Sequence, residues 1–283
     1  QCLHALLERL NFDECDERNV EYLTEMMLNA WGFDRSYSSR VARGIWLAIH
    51  TPLAASQPDP EEGQWAQQIW RQYTLNQFSL RDLARSHRRD EVKFELPLSN
   101  EQVLPARLIN SILRLDPACH GLPSLPDDLN LMGFLKGSID LMFRVTQNGQ
   151  DRYYISDYKT HWLGDEKGSQ LGHYHPEALR EVMNKHHYHL QSHLYQVVLH
   201  RLLEQRLGTR YQPEVHFGGS YYLFLRGMAG SESRIITPQG DQGGAGVYFH
   251  KPIYAVTELL SLALSNPHEA EQKLSELGVR ITH

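Results

Sequence analysis

Two apolar runs, Gly137 to Val145 and Arg152 to Tyr158, flank the dipeptide Asn148-Gly149. This pattern restricts the fold more than any other stretch of the chain. Asn-Gly is the strongest short-range hairpin signal, because both residues tolerate the positive φ that a tight turn demands. With these two at the turn, Gln147 faces Gln150, and counting outward brings Asp140 opposite Asp157. Directly facing residues hold their Cβ atoms about 4.5–5.5 Å apart. Lys159 is two residues beyond Asp157, so its side chain leaves from the same face.

Two facing carboxylates repel each other and weaken a sheet unless something compensates. A divalent cation does so, and hard cations such as Mg²⁺ prefer carboxylate oxygens. An adjacent ammonium can then orient a water towards a phosphate and stabilise developing charge. Asp140, Asp157 and Lys159 therefore suit metal-assisted phosphodiester hydrolysis. The acid-x-Lys spacing alone is common. It recurs at Glu91-Val92-Lys93, Asp165-Glu166-Lys167 and Glu271-Gln272-Lys273, where strand surface, loop and solvated helix account for it. Only Asp157-Tyr158-Lys159 ends an apolar strand and faces another acid. An exposed strand end with a lysine guarding an edge stays open as the plain alternative.

Around the hairpin, the periodicity divides the chain. Leu3, Leu6, Leu7 and Leu10 recur at helical spacing, and Glu21 to Trp31, Ser39 to Ala48 and Gln64 to Leu83 are predicted helices. Thr51 to Gly63, rich in proline and acid, is a predicted loop. From Glu91 to Leu96 polar and apolar residues alternate, as in a half-buried strand. Leu104 to Leu113 is open between strand and helix, and Pro117 to Pro126 reads as loop. A helical region follows Pro176, broken near His186–Tyr188 and resuming to Arg206. Gly219 to Arg226 is a predicted strand, Gly227 to Gly246 a glycine-rich loop, and Tyr254–Leu264 and His268–Leu277 are C-terminal helices. Strands followed by long helices predict an α/β fold with a mixed central sheet. Residues 1–87 form an N-terminal helical portion and residues 88–283 the core, together one domain.

The chain has 283 residues and a net charge of −6, which does not favour binding to phosphates. Its basic residues crowd one stretch, Arg81, Arg85, His87, Arg88 and Arg89, for which a solvated helix face is as good a reading as a DNA contact. Cys2, Cys15 and Cys119 are scattered and form no C-x-x-C pair, which fits a reducing cytoplasm. No apolar run reaches the roughly 18 residues of a membrane helix, so no membrane partner is expected. The chain opens on Gln1 inside a helical pattern and reads as a piece of a longer polypeptide. It holds no G-x-x-x-x-G-K-[ST], hence no ATP site.

Met132 through Leu141 (Met-Gly-Phe-Leu-Lys-Gly-Ser-Ile-Asp-Leu) and Tyr153 through Gly164 (Tyr-Tyr-Ile-Ser-Asp-Tyr-Lys-Thr-His-Trp-Leu-Gly) closely resemble the C-terminal nuclease domain of the RecB family. That domain is a branch of the PD-(D/E)XK superfamily. Weaker matches are Leu3 to Glu8 with Asn11-Phe12, Gln191 to Tyr195 followed by Leu199-His200-Arg201, and His216 to Gly219 through Arg226-Gly227. The resemblance implies a PD-(D/E)XK core that acts as an exodeoxyribonuclease V-type DNA nuclease in break repair and recombination. Asp140 and Asp157 would be metal ligands and Lys159 the catalytic lysine. His4, in Leu-His-x-Leu, would be a third side-chain ligand, with the Tyr158 carbonyl completing the set. Glu91 would be the upstream acid, with Glu95 as a rival. Gln191 and Tyr195, one helical turn apart, match a Q-x-x-x-Y motif that supports the site or contacts DNA.

The same likeness implies Mg²⁺ as cofactor, with Mn²⁺ or Ca²⁺ able to substitute. It implies mainly single-stranded DNA as substrate, RecC-like and RecD-like subunits and a RecA-type recombinase as partners, and a cytoplasmic setting. Two alternatives stay open: a catalytically weak docking module, and the same fold acting on RNA. Read without the resemblance, His4 is a helix residue at a core edge, and Tyr195 a packed ring. Some relatives carry a four-cysteine iron–sulfur cluster, which three cysteines cannot build. The run of His173, His175, His186, His187, His189 and His193 lacks the glutamate of H-E-x-x-H, so zinc is not expected there. Trp162, Tyr153, Tyr154 and Tyr158 could stack on bases or simply pack.

Overall fold

Hydrophobic periodicity sets the order of elements, which a computed structural model describes for residues 1–53, 78–147, 149–237 and 240–279. The first three helices are α1 (Cys2–Arg9), α2 (Glu17–Ala30) and α3 (Ser38–Ile49). Asp16 starts α2: its carboxylate accepts the Asn19 N–H at 2.7 Å, and the Asn19 side chain answers at the Asp16 N–H. Strand β1 (Arg88–Pro97) follows, then β2 (Leu104–Pro105), α4 (Ala106–Leu113), β3 (Asn130–Leu131), β4 (Phe134–Gln147) and β5 (Gln150–Lys159). Next come α5 (Pro176–Lys185), α6 (Tyr188–Leu207), β6 (Phe217–Phe224), β7 (Arg234–Thr237), β8 (Gly240–Gly244), β9 (Val247–His250), α7 (Tyr254–Ser265) and α8 (Pro267–Glu276).

The sheet runs β1-β4-β5-β6-β9. β5 and β6 are parallel, and the other three pairings are antiparallel. A parallel pair needs a long crossover, and α5 and α6 supply it. One face of the sheet buries Leu141, Phe143, Tyr154, Tyr158 and Tyr221 against Leu6, Leu7, Phe12, Val20 and Ile45 of the N-terminal helices. The other face buries Ile139, Met142, Ile155 and Phe217 against α4, α6, α7 and α8. The fold is thus α/β with helices on both faces of a mixed sheet, as the patterning predicts.

Two predicted stretches differ. Leu104 to Leu113 resolves into a two-residue strand and a helix, because the chain pairs briefly with β3 before its apolar stripe turns inward. The glycine-rich segment from Gly227 to Gly246 is not all loop: β7 and β8 pair within it. Glycine density hid the short β-branched run Arg234-Ile235-Ile236-Thr237. The predicted loop Thr51 to Gly63 and helix Gln64 to Leu83 lie mostly outside the described residues, as does Asn148. At the end of that predicted helix, Leu80–Asp82 forms a 3₁₀ turn.

Strand β6 joins β5 through a bulge at Gly218: Tyr153 pairs with Phe217, and Tyr154 with Gly219. A Cβ on Gly218 would sit 2.4 Å from the Tyr153 carbonyl oxygen and 2.5 Å from the Tyr154 ring. Backbone cannot yield as a flexible side chain does. Gly218→Ala is expected to destabilise the chain by about 1–3 kcal/mol. Gly44→Ala, in α3 with nothing within 4 Å, is expected to stabilise it by up to about 1 kcal/mol. Thermal unfolding of the two variants against the parent checks both signs.

Candidate metal-binding active site

The β4–β5 ladder keeps the register that the turn dictates, from Gln147↔Gln150 to Leu141↔Ser156. The next step departs from simple facing. Beyond Leu141↔Ser156 the β4–β5 ladder ends, while β5 continues along β6, Asp157 against Tyr222 and Lys159 against Phe224. Asp140 stands at this end. Its Oδ2 accepts the Tyr158 backbone N–H at 2.8 Å, taking the place of a ladder bond. The two acids remain close enough that the charge of Asp140 acts on Asp157.

The switch at Asp140 has a partner in β1. Asp90↔Leu141 and Val92↔Ile139 flank Glu91 and Asp140, which places Glu91 across from Asp140. Glu91 has a left-handed backbone, φ 48°. Such a conformation in a residue with a Cβ stores about 1–3 kcal/mol and persists only where its surroundings hold it. Here it turns β1 over. Arg88 faces the α1 side, stacked on Phe12, whereas Val92 and Phe94 face the opposite core. The Glu91 carboxylate is half exposed, 3.8 Å from the Lys93 ammonium. Glu95 is paired with Lys136 at 3.0 Å, four residues beyond Glu91 in β1. Of the rivals, Glu91 is the one beside Asp140.

Helix α1 brings His4 to the same place. Its Nε2 lies 2.9 Å from the Tyr158 carbonyl oxygen and 3.8 Å from Asp140 Oδ2. Lys159 is nearly buried and held on three sides. Its Nζ is 2.6 Å from Asp157 Oδ1, donates to Gln191 Oε1 at 3.1 Å, and sits 3.7 Å from the centre of the Tyr188 ring. The Gln191 amide donates to Tyr195 Oη at 2.9 Å, and Tyr195 donates to the Ser138 carbonyl on β4 at 2.8 Å. Gln191 and Tyr195 thus form a chain from α6 through the lysine to the sheet.

Three neighbours escaped the sequence reading. Glu8 lies one helical turn after His4. Burial raises its carboxyl, and Glu91, Asp90 and Asp140 raise it further. The i,i+4 spacing from His4 could have suggested it. Tyr188 and Tyr222 also touch the lysine, and Tyr222 donates to Gln191 Oε1 at 3.2 Å. They come from separate elements, so no local signal marks them.

Two carboxylates, a carbonyl and an imidazole are a donor set for a hard or borderline divalent cation. Without one, Asp157 feels mainly its burial, which raises its carboxyl to about 6. Lys159 opposes the rise, and Asp140 adds to it. A mixed sheet with acids where a ladder ends and a lysine two residues on is a PD-(D/E)XK-like core.

Comparison with known proteins agrees. No family model matches the chain. It is 38% identical over 226 residues to the RecBCD enzyme subunit RecB of Escherichia coli strain K12, covering 80% of this chain and 16% of that protein. It is 35% identical over 206 residues to RecB of Mycolicibacterium smegmatis, covering 66% and 18%. RecB of Haemophilus influenzae is 37% identical over 199 residues, covering 69% and 14%. The match thus spans less than a fifth of each relative's length. The chain is a RecB-like nuclease-domain protein.

The raised carboxyl has a consequence for pH. The folded, cation-free chain holds the Asp157 proton more tightly than the unfolded chain, so this group favours folding at low pH. That advantage is lost as pH rises through about 6. A bound cation reverses the balance, because it needs the carboxylate. The rise in melting temperature on adding Mn²⁺ is expected to be full a unit above pH 6 and to fade a unit below it. An increment that stays constant across that range would show that Asp157 does not bind the ion.

Proposed function

We propose that this chain is a Mg²⁺-dependent nuclease that hydrolyses DNA phosphodiester bonds, acting on single-stranded or unwound DNA within a RecBCD-like helicase–nuclease. The observation that carries the reading is the fixed ammonium of Lys159 beside Asp157, with Asp140, His4 and the Tyr158 carbonyl on the other side. The likeness to RecB subunits supports DNA as the substrate and strand-break repair as the setting.

Asp140, Asp157, His4 and the Tyr158 carbonyl would hold the cation, with Glu91 or Glu8 ordering a water or a second ion. When bound, Mg²⁺ polarises the scissile phosphate and favours ionisation of a water. The remaining work falls to side chains. Gln191 and the Tyr188 ring keep Lys159 from swinging away, so its N–H groups stay aimed at the site. From there the lysine donates to the attacking water and to a phosphate oxygen as charge builds there. Asp157 accepts from Lys159 and so fixes where its ammonium stands.

Single strands are favoured by the rim. Trp162 is 55% exposed, three residues past Lys159, and the Arg226 guanidinium lies 5.6 Å from its ring. Unpaired bases stack on such a ring, whereas a duplex hides its base faces.

Lys159→Ala is expected to lower cleavage of a single-stranded oligonucleotide at least about 100-fold. Circular dichroism and the Mn²⁺-induced melting shift should remain those of the parent, and EDTA should abolish parent activity. Cleavage by Lys159→Ala at the parental rate would remove the lysine from the mechanism.

A further inference from the structure

His161 stands just beyond the end of β5, two residues past Lys159. Its ring packs among three others, with centroids 4.9 Å from His186, 5.8 Å from Tyr188 and 6.1 Å from Phe224. Its Nε2 lies 3.3 Å from Tyr188 Oη. The Tyr188 ring lies in turn against the Lys159 ammonium, 3.7 Å from Nζ to the ring centre. We propose that His161 is a positioning residue: it pins the Tyr188 hydroxyl, and so holds the ring that keeps Lys159 aimed at the acids. This rests on Lys159 being the lysine of hydrolysis, and adds the residue that fixes its aromatic support.

Tyr188 needs such a pin. It opens α6, directly after His187, whose backbone is left-handed at φ 55°. The first turn of a helix has N–H groups without partners inside it, and helix ends fray. Two rings are stacked on Tyr188, that of Tyr222 at 5.7 Å and that of the exposed His186 at 5.4 Å. Stacked faces tolerate an offset, so they leave the ring free to slide in its own plane. A hydrogen bond at the hydroxyl has a set length and direction, and it stops that slide.

His161 is itself anchored. Its carbonyl accepts from Tyr174 Oη at 3.0 Å, and Tyr174 is fully buried. The same oxygen accepts the Leu163 N–H at 3.2 Å, so His161 and Leu163 both hang on one phenol. His161 Nδ1 is buried and has no partner among the described residues. The bond to Tyr188 is therefore the one that orients the ring. An imidazole also suits the charge of the place. Burial makes the ring harder to protonate, and the charges of His186 and Lys159 add to this. At neutral pH the ring is uncharged and sets no second cation against the ammonium.

The test reads the lysine directly, by NMR of the 283-residue chain with ¹³C-labelled lysine side chains. The ε-methylene signal of Lys159 is identified by its loss in Lys159→Arg, and the ring current of Tyr188 should hold it upfield. His161→Ala should move it most of the way towards the signals of exposed lysines. Tyr188→Phe, which keeps the ring and loses the hydroxyl, should do the same, and the double variant should go no further than either single one. His161→Gln, whose amide reaches the place of Nε2, should keep the parental signal. On a single-stranded oligonucleotide, kcat should fall about 5–20-fold in His161→Ala and in Tyr188→Phe, with KM within about twofold of the parent. A folded His161→Ala with the parental lysine signal would overturn the proposal. If that variant does not fold, a parental signal in Tyr188→Phe would overturn it instead. Independent effects that add in the double variant would do so too. A parent with the upfield lysine signal that cuts no DNA would sink the nuclease reading and leave the link from His161 through Tyr188 to Lys159 standing.

Discussion

Helix α1 ends, like every helix, with carbonyls that have no partner inside it, and three arginines supply the missing donors. Arg85 donates to the Glu8 carbonyl, Arg88 to those of Leu7 and Leu10, and Arg81 to that of Phe12 just beyond. Cations at a helix C-terminus also oppose its negative dipole end. Arg88 is buried and fixed in turn by Asp90 and by the Phe12 ring. This clasp presses α1 on the sheet at the height of Tyr158, and so sets His4 against the Tyr158 carbonyl. The basic stretch lies on 3₁₀ turns and the start of β1 rather than on a solvated helix face: Arg88 is buried, whereas Arg85 and Arg89 stay exposed.

The second constraint is that one short segment of sheet serves two cores. Leu141 and Phe143 pack under the N-terminal helices, whereas Ile139 packs under α4 and α6. The alternation breaks once, at Asp140, and β1 breaks its own at Glu91. The acids sit where the backbone changes sides, with Asp157 buried and 23% of the Asp140 side chain still open to solvent. Burial on the α6 side accounts for the raised carboxyl of Asp157, and the Gln191–Tyr195 chain keeps that side polar enough to hold an ammonium.

Much of this is legible in the residues. The Asn-Gly turn fixes the register of β4 and β5, alternation marks β1 as a strand, and apolar runs mark β4 and β5. The resemblance singles out His4, which no periodicity would have chosen. What escapes is whatever depends on distant pairing. Past Ser156 the ladder to β4 ends and only the pairing of β5 with β6 goes on, a strand some sixty residues later in the chain. Tyr188 and Tyr222 reach Lys159 from different elements. His193 looks like one of a histidine run, and its carboxylate partner is 77 residues upstream. The half-buried Glu8 is masked by its position in an ordinary amphipathic helix.

The reversal of β1 at Glu91 has a consequence for how such a chain can change length. On either side of that residue, side chains alternate strictly, so losing one residue rotates the whole half-strand by a face. A deletion before Glu91 would point Arg88 at solvent and release the helix that carries His4. A deletion after it would expel Val92 and Phe94 from the opposite core. The hairpin tip near Gly149 lies far from this pivot and can grow or shrink in steps of two without moving a single acid. Within β1 and the β4–β5 hairpin, length can therefore vary at the tip, while the pivot keeps a fixed count.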